Sequence, residues 1–155
     1  MYNSEGVIMN ITLNKTYNFT IQNFSFGNLS KDEMIDVLVD GRFNSPFMER
    51  QLTKWFPQLK HITGNKDHDH VDGEGNLYDA KNFTKNGLKF KPSNQLGQGR
   101  SFNKEVAHEK ANKLIYICCD IIDFPKVKVK FIDGGDLVKR YPLCEVPKSH
   151  RTVLF

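Results

Sequence analysis

Leu114 to Ile122 is apolar at every position except Asp120. A run of this kind lacks the polar–apolar alternation of a strand with one wet face. It predicts a strand buried on both faces at the centre of a sheet. It is also far short of the roughly 18 apolar residues that a membrane span needs, and no other stretch of the chain comes closer.

The remaining pattern supplies elements to surround that strand. Residues 7–26 alternate polar groups with Ile11, Leu13, Tyr17, Phe19, Ile21, Phe24 and Phe26, and Asn14-Lys15 marks a turn, so a β-hairpin is expected there. Ser30 with Glu33 is a capping-box spacing and predicts a helix through about Val39, stopping near Gly41. Ser45-Pro46 reads as the cap and first residue of a second helix, which carries Phe47, Leu52, Trp55 and Phe56 and ends at Pro57. Strands are expected at Leu59 to Thr63 and Leu77 to Thr84, with Gly73 and Gly75 bracketing a turn between them. A polar loop from Pro92 to Gly99 leads to a helix from about Asn103 to Asn112. Val127 to Ile132 alternates with Lys126, Lys128 and Lys130 and reads as a strand nearer the edge, its lysines forming a row fit to meet phosphates. With no repeat, low-complexity tract or linker, the 155 residues predict one α/β domain, a central mixed sheet flanked by helices. Within it, residues 1–41 are expected to form an N-terminal hairpin and helix, and residues 42–135 the catalytic core.

Composition narrows the setting. Cys118, Cys119 and Cys144 are odd in number and two are adjacent, which suits no disulfide framework, so a reduced cytoplasmic setting is expected. Met1 to Asn10 lacks the basic-then-apolar pattern of a secretory signal, so none is expected. No membrane partner is expected. His61, His68, His70 and His108 with Cys118 and Cys119 lack a C-x-x-C spacing, so structural zinc is not expected either.

Charge is distributed unevenly. Asp67 to Asp79 holds five acids and no Lys or Arg, whereas Lys81 to Lys113 holds eight basic residues against two acids. An acidic knot beside a basic field suits a metal-dependent enzyme acting on a polyanion. On a strand, Asp79 and Lys81 project to one face with Leu77 and Phe83, while Tyr78 and Ala80 point away. Charged groups between apolar neighbours are costly to bury unpaired. A second carboxylate, Asp69, ten residues earlier on the far arm of a hairpin, and a divalent cation would supply partners. Two carboxylates and the Ala80 carbonyl are hard oxygen ligands suited to Mg²⁺. A lysine beside them can orient an attacking water and stabilise developing negative charge. This is the equipment of phosphodiester hydrolysis, with Asp69, Asp79 and Lys81 as catalytic candidates and Asp69, Asp79 and Ala80 as metal ligands.

The run Asp69-x-Val71-Asp72-x-x-Gly75-x-x-Tyr78-Asp79-x-Lys81 resembles the catalytic hairpin of the PD-(D/E)XK nuclease superfamily, in its PvuII-like type II restriction endonuclease branch. The resemblance covers the order of elements over roughly residues 42–120 and implies a restriction-endonuclease-like fold. Two positions depart from the pattern: Asp79 stands where Glu is more usual, and His68 replaces the proline before the first acid. The resemblance also implies a role at the metal for a helix acid, here Glu49. A segment past the lysine would enter DNA, here Lys85, Lys89, Lys91, Ser93, Asn94, Gln95, Gln98, Arg100 and Lys104. Asn, Gln and Arg in such a loop are the side chains that read base edges. The expected activity is Mg²⁺-dependent, site-specific cleavage of double-stranded DNA by a homodimer, with the N-terminal region as candidate dimer surface. A homing endonuclease or Holliday-junction resolvase of the same superfamily, or a DNA-binding module without catalysis, are the alternatives.

Overall fold

The computed structural model describes residues 10–64 and 67–155. In chain order they form β1 (Thr16–Thr20), α1 (Lys31–Leu38), α2 (Gly41–Trp55), β2 (Lys60–His61), β3 (His70–Val71), β4 (Leu77–Phe83) and β5 (Leu88–Lys89). After these come α3 (Lys104–Ala111), β6 (Ile115–Asp120), β7 (Lys126–Asp133), α4 (Gly134–Arg140), β8 (Glu145–Val146) and α5 (Arg151–Leu154). Six strands form a mixed sheet in the order β1-β7-β6-β4-β3-β2, and β5 and β8 pair separately. Only β4 and β6 run parallel, so the chain between them must cross over, and it does so through α3. No helix among the described residues is long and apolar enough to cross a membrane.

β6 is buried on both faces, as its composition requires. Ile117 and Cys119 face a layer built on Met48, Leu52, Trp55 and Phe56 of α2 and its end. Tyr116 and Cys118 face Ala107 and Ala111 of α3 with Leu137 and Val138 of α4. β4 divides in the same way, with Tyr78 and Ala80 in the α2 layer and Leu77 and Phe83 in the α3–α4 layer. Gly134 permits the tight junction there: a Cβ would stand 1.9 Å from the Ala111 carbonyl oxygen, at a point where its own N–H bonds the Leu114 carbonyl at 2.8 Å.

Three expectations need correction. The alternation around Tyr17 and Phe19 is a strand, but its partner is β7, a hundred residues on, and not a neighbouring arm. Residues 7–9 of the expected hairpin lie outside the described residues. β7 is therefore interior and β1 is the edge; lysines on one face of β7 are compatible with this because Lys126 and Lys128 reach solvent and Lys130 donates to the Leu154 carbonyl at 2.7 Å. α2 begins at Gly41, with Asp40 and not Ser45 as its cap, since the Asp40 carboxylate accepts the Arg42 N–H at 2.9 Å. The Ser45 hydroxyl donates to the Gly41 carbonyl at 2.7 Å, and Pro46 falls within the helix near its start. Leu137, Val138, Tyr141, Cys144, Val146 and Leu154 are buried as well, so the hydrophobic core draws on the chain as far as α5. The capping box of α1 is formed as expected, with Ser30 and Glu33 each bonding the other's backbone N–H.

Candidate active site

The site starts at a turn. Between β3 and β4 the Asp72 carboxylate accepts the backbone N–H groups of Glu74 and Asn76 at 2.9 and 3.0 Å, the Asn76 amide at 2.9 Å and the Tyr78 hydroxyl at 2.7 Å. Gly75, at φ +85°, takes the left-handed conformation this reversal needs. Asp72 is thus consumed in shaping the hairpin. The register that results sets His70 opposite Tyr78, and Asp69 continues the ladder by donating its N–H to the Tyr78 carbonyl at 2.8 Å.

β3 ends there, and Asp69 turns its side chain along β4. Its Oδ2 accepts the Ala80 N–H at 2.9 Å, taking the place a further β3 residue would have filled. Because a residue's N–H and C=O leave a strand on the same side, the Ala80 carbonyl also emerges beyond the end of β3. Asp79 and Lys81 project from the opposite face of β4 to Ala80, and Lys81 Nζ lies 3.1 Å from Asp79 Oδ2. Asp79 is only 6% exposed. Burial, a hydrogen bond to the Asp79 carboxyl and the charges of Asp79 and Glu49 together hold the Asp69 carboxyl far above the ordinary carboxylate range. The N–H of Ala80 acts in the other direction and does not offset them.

Two carboxyls pressed together must share a proton or a cation. The donors fit Mg²⁺ in kind: hard oxygens from Asp69 and Asp79 and an adjacent strand carbonyl, with Asp69 held protonated unless a cation takes the proton's place. Among the described residues no three His, Cys, Asp or Glu side chains close around a single point.

A cleft of about 860 Å³ opens over these groups. Asp69, Asp79, Ala80, Lys81 and Glu49 all line it, Glu49 coming from α2 across the cleft. The helix is held in place beside β4 by the Asn82 amide, which donates to the Gly41 carbonyl and the Ser45 hydroxyl, each at 3.2 Å. At Gly41 a Cβ would already approach the Thr84 methyl to 3.0 Å.

Of the residues expected to meet DNA, Lys85, Lys89 and Ser93 line the cleft. The others do not. Lys91 Nζ is 2.7 Å from Glu145 Oε1 and lies over the Phe102 ring. Gln95 accepts the Asn103 N–H at 2.9 Å, and Arg100 donates to the Ser93 carbonyl at 2.8 Å, so both shape the loop itself. Asn94, Gln98 and Lys104 are exposed outside the cleft wall. Lys126 and Lys128 border a separate pocket of about 190 Å³ beside Asp120. Arg42 and Lys110, outside the expected set, also line this cleft. Lys110 stood in the basic field of the sequence, but no linear signal distinguishes it from its neighbours. The chain matches no family model, no curated protein sequence and no solved structure.

Proposed function

We propose that the chain is a Mg²⁺-dependent endonuclease that hydrolyses phosphodiester bonds of double-stranded DNA, of the type II restriction-like kind. The observation that carries this reading is the meeting of Asp69, Asp79 and Lys81 in one cleft, with the Ala80 N–H holding Asp69 against the strand that bears the other two. The order α2, β2–β3–β4 hairpin and strand, α3, β6 also supports it, since a helix precedes the hairpin and a basic segment and helix precede an apolar strand.

When bound, Mg²⁺ would neutralise phosphate charge and lower the pKa of a coordinated water. Asp69, Asp79 and the Ala80 carbonyl would hold it. Lys81, kept near the carboxylates by Asp79, would orient the attacking water and stabilise negative charge as it develops on the phosphate. Lys85, Lys89, Lys110 and Arg42, on the rim, would fix the backbone of the duplex by phosphate contacts. Cutting both strands with one such cleft per chain calls for two copies, so the working form would be a homodimer on a two-fold site.

The test is cleavage of a supercoiled plasmid in Mg²⁺. Lys81→Ala and Asp79→Asn should each lower the rate by at least about 10²–10³-fold while DNA binding stays within a few-fold. Cleavage by Lys81→Ala at the unmodified rate would remove the assignment. Binding without cleavage by the unmodified protein would leave only a DNA-binding module.

A further inference from the structure

Two histidines converge on one residue of α2. His61 and His70 are register partners on β2 and β3, their ring centroids 5.4 Å apart. His70, fully buried, donates its Nε2–H to the backbone carbonyl of Glu49 at 2.7 Å. His61 Nε2 lies 3.0 Å from Glu49 Oε2. One ring therefore fixes where the Glu49 backbone sits and the other fixes where its carboxylate points. Among the described residues the Nδ1 of His70 has no partner, and its Nε2 is committed to the carbonyl.

Docking a helix on a hairpin does not require two polar contacts at one residue. Apolar contacts already do so here, through Leu52, Trp55, Phe56 and Leu59. What the pair adds is orientation of a flexible acid that lines the same cleft as Asp69 and Asp79. A free glutamate loses rotamer entropy when it is fixed, and the hydrogen bond from His61 meets that cost before any ligand arrives.

We propose that His61 is a positioning residue that holds Glu49 as a third carboxylate of the divalent-cation site, acting on the cation through charge and ordered water, with His70 anchoring the same residue by its backbone. The proposal rests on the metal-dependent reading above. Among the described residues no three acidic side chains close on one point, so the proposal has Glu49 act from outside the direct ligand set.

The experiment measures Mn²⁺ affinity of the full chain by electron paramagnetic resonance, without DNA, alongside KM and kcat for cleavage. His61→Leu and Glu49→Gln should each weaken Mn²⁺ binding about 10-fold, and the double variant no more than either alone. kcat at fixed Mn²⁺ should fall with KM for DNA nearly unchanged, and His61→Gln, which keeps a donor, should recover most of the affinity. A structural role alone would lower the melting temperature and leave Mn²⁺ affinity as it was. That result, or effects that multiply in the double variant, would overturn the proposal. If His61→Leu does not fold, His61→Asn, too short to reach Oε2, takes its place in the same cycle. Mn²⁺ binding that Asp79→Asn abolishes and His61→Leu spares would sink only the histidine assignment. No Mn²⁺ binding by the unmodified chain would sink the metal reading and this proposal together.

Discussion

Asp79 and Asp120 sit on the neighbouring parallel strands β4 and β6, and both are buried, at 6% and 1% exposure. Their surroundings differ in one respect that separates a staple from a site. Asp120 receives Arg151 through two contacts, at 2.6 and 3.3 Å, and the Ile122 N–H at 3.1 Å, so its charge and lone pairs are met within the fold. Arg151 reaches on to Asp123 at 2.7 Å and so ties the C-terminal α5 to the end of β6. Asp79 has Lys81, but it also has Asp69 pressed against it and Glu49 nearby, and the balance is negative. A buried carboxylate with a full complement of partners stabilises the chain. One crowded by other acids costs stability until something positive arrives, and this imbalance is common where groups are arranged for function.

The largest effect expected of this contrast is on folding. Arg151→Leu strands a buried carboxylate and should cost about 2–3 kcal/mol in urea denaturation, below the full range for a buried pair because Arg151 is 27% exposed. Cleavage per folded molecule should not change. If Arg151→Leu lost cleavage without losing stability, the Asp120 end would belong to the site and the contrast would fail.

A smaller effect of opposite sign is expected at Asp69. Its carboxyl is raised in the fold relative to the ordinary value of 3.8, so the Asp69 contribution to metal-free stability should be fully present below that value and be lost as pH rises through the raised one. Asp69→Asn, which can still accept the Ala80 N–H, should flatten that part of the profile and stabilise the metal-free protein by about 1 kcal/mol at neutral pH. Mg²⁺ should offset the loss in the unmodified chain and not in the variant. Thermal melts across pH, with and without Mg²⁺, decide it. A destabilising Asp69→Asn would mean that the carboxylate is as well partnered as Asp120.

The smallest effect concerns the surface. Lys85→Gln or Lys89→Gln should weaken DNA binding and reduce the slope of log affinity against log salt by at most about one unit each. Lys126→Gln and Lys128→Gln, beside the Asp120 pocket, should leave the slope alone. The reverse outcome would move the DNA path from the Asp79 cleft to the other pocket.

Local chemistry explains which elements could be read in advance. The Ser30–Glu33 capping box, the helix over Lys104–Ala111 and the apolar strand β6 are encoded within a few residues of where they form. α4 is not legible locally because it opens on Gly134-Gly135, poor helix formers, and depends on the Asp133 cap and on burial of Leu137 and Val138. β5 and β8 are two residues each, too short to carry a period. The partner of β1 could not be foreseen, because alternation specifies a face and not a neighbour.

The contents of the candidate site are local: Asp79 and Lys81 stand two apart on a strand, with Asp69 ten residues upstream across a glycine turn. Those spacings act through backbone geometry of short range, so they hold wherever the hairpin is placed. Which charges meet depends on long-range packing. The fold spends Asp72 on the turn, Gln95 and Arg100 on their own loop and Lys91 on Glu145, and it brings Glu49, Arg42 and Lys110 to the cleft. A side chain's role depends on what lies within a few ångströms of it. For residues on separate elements, that distance is set by packing of α2 and α3 against the sheet.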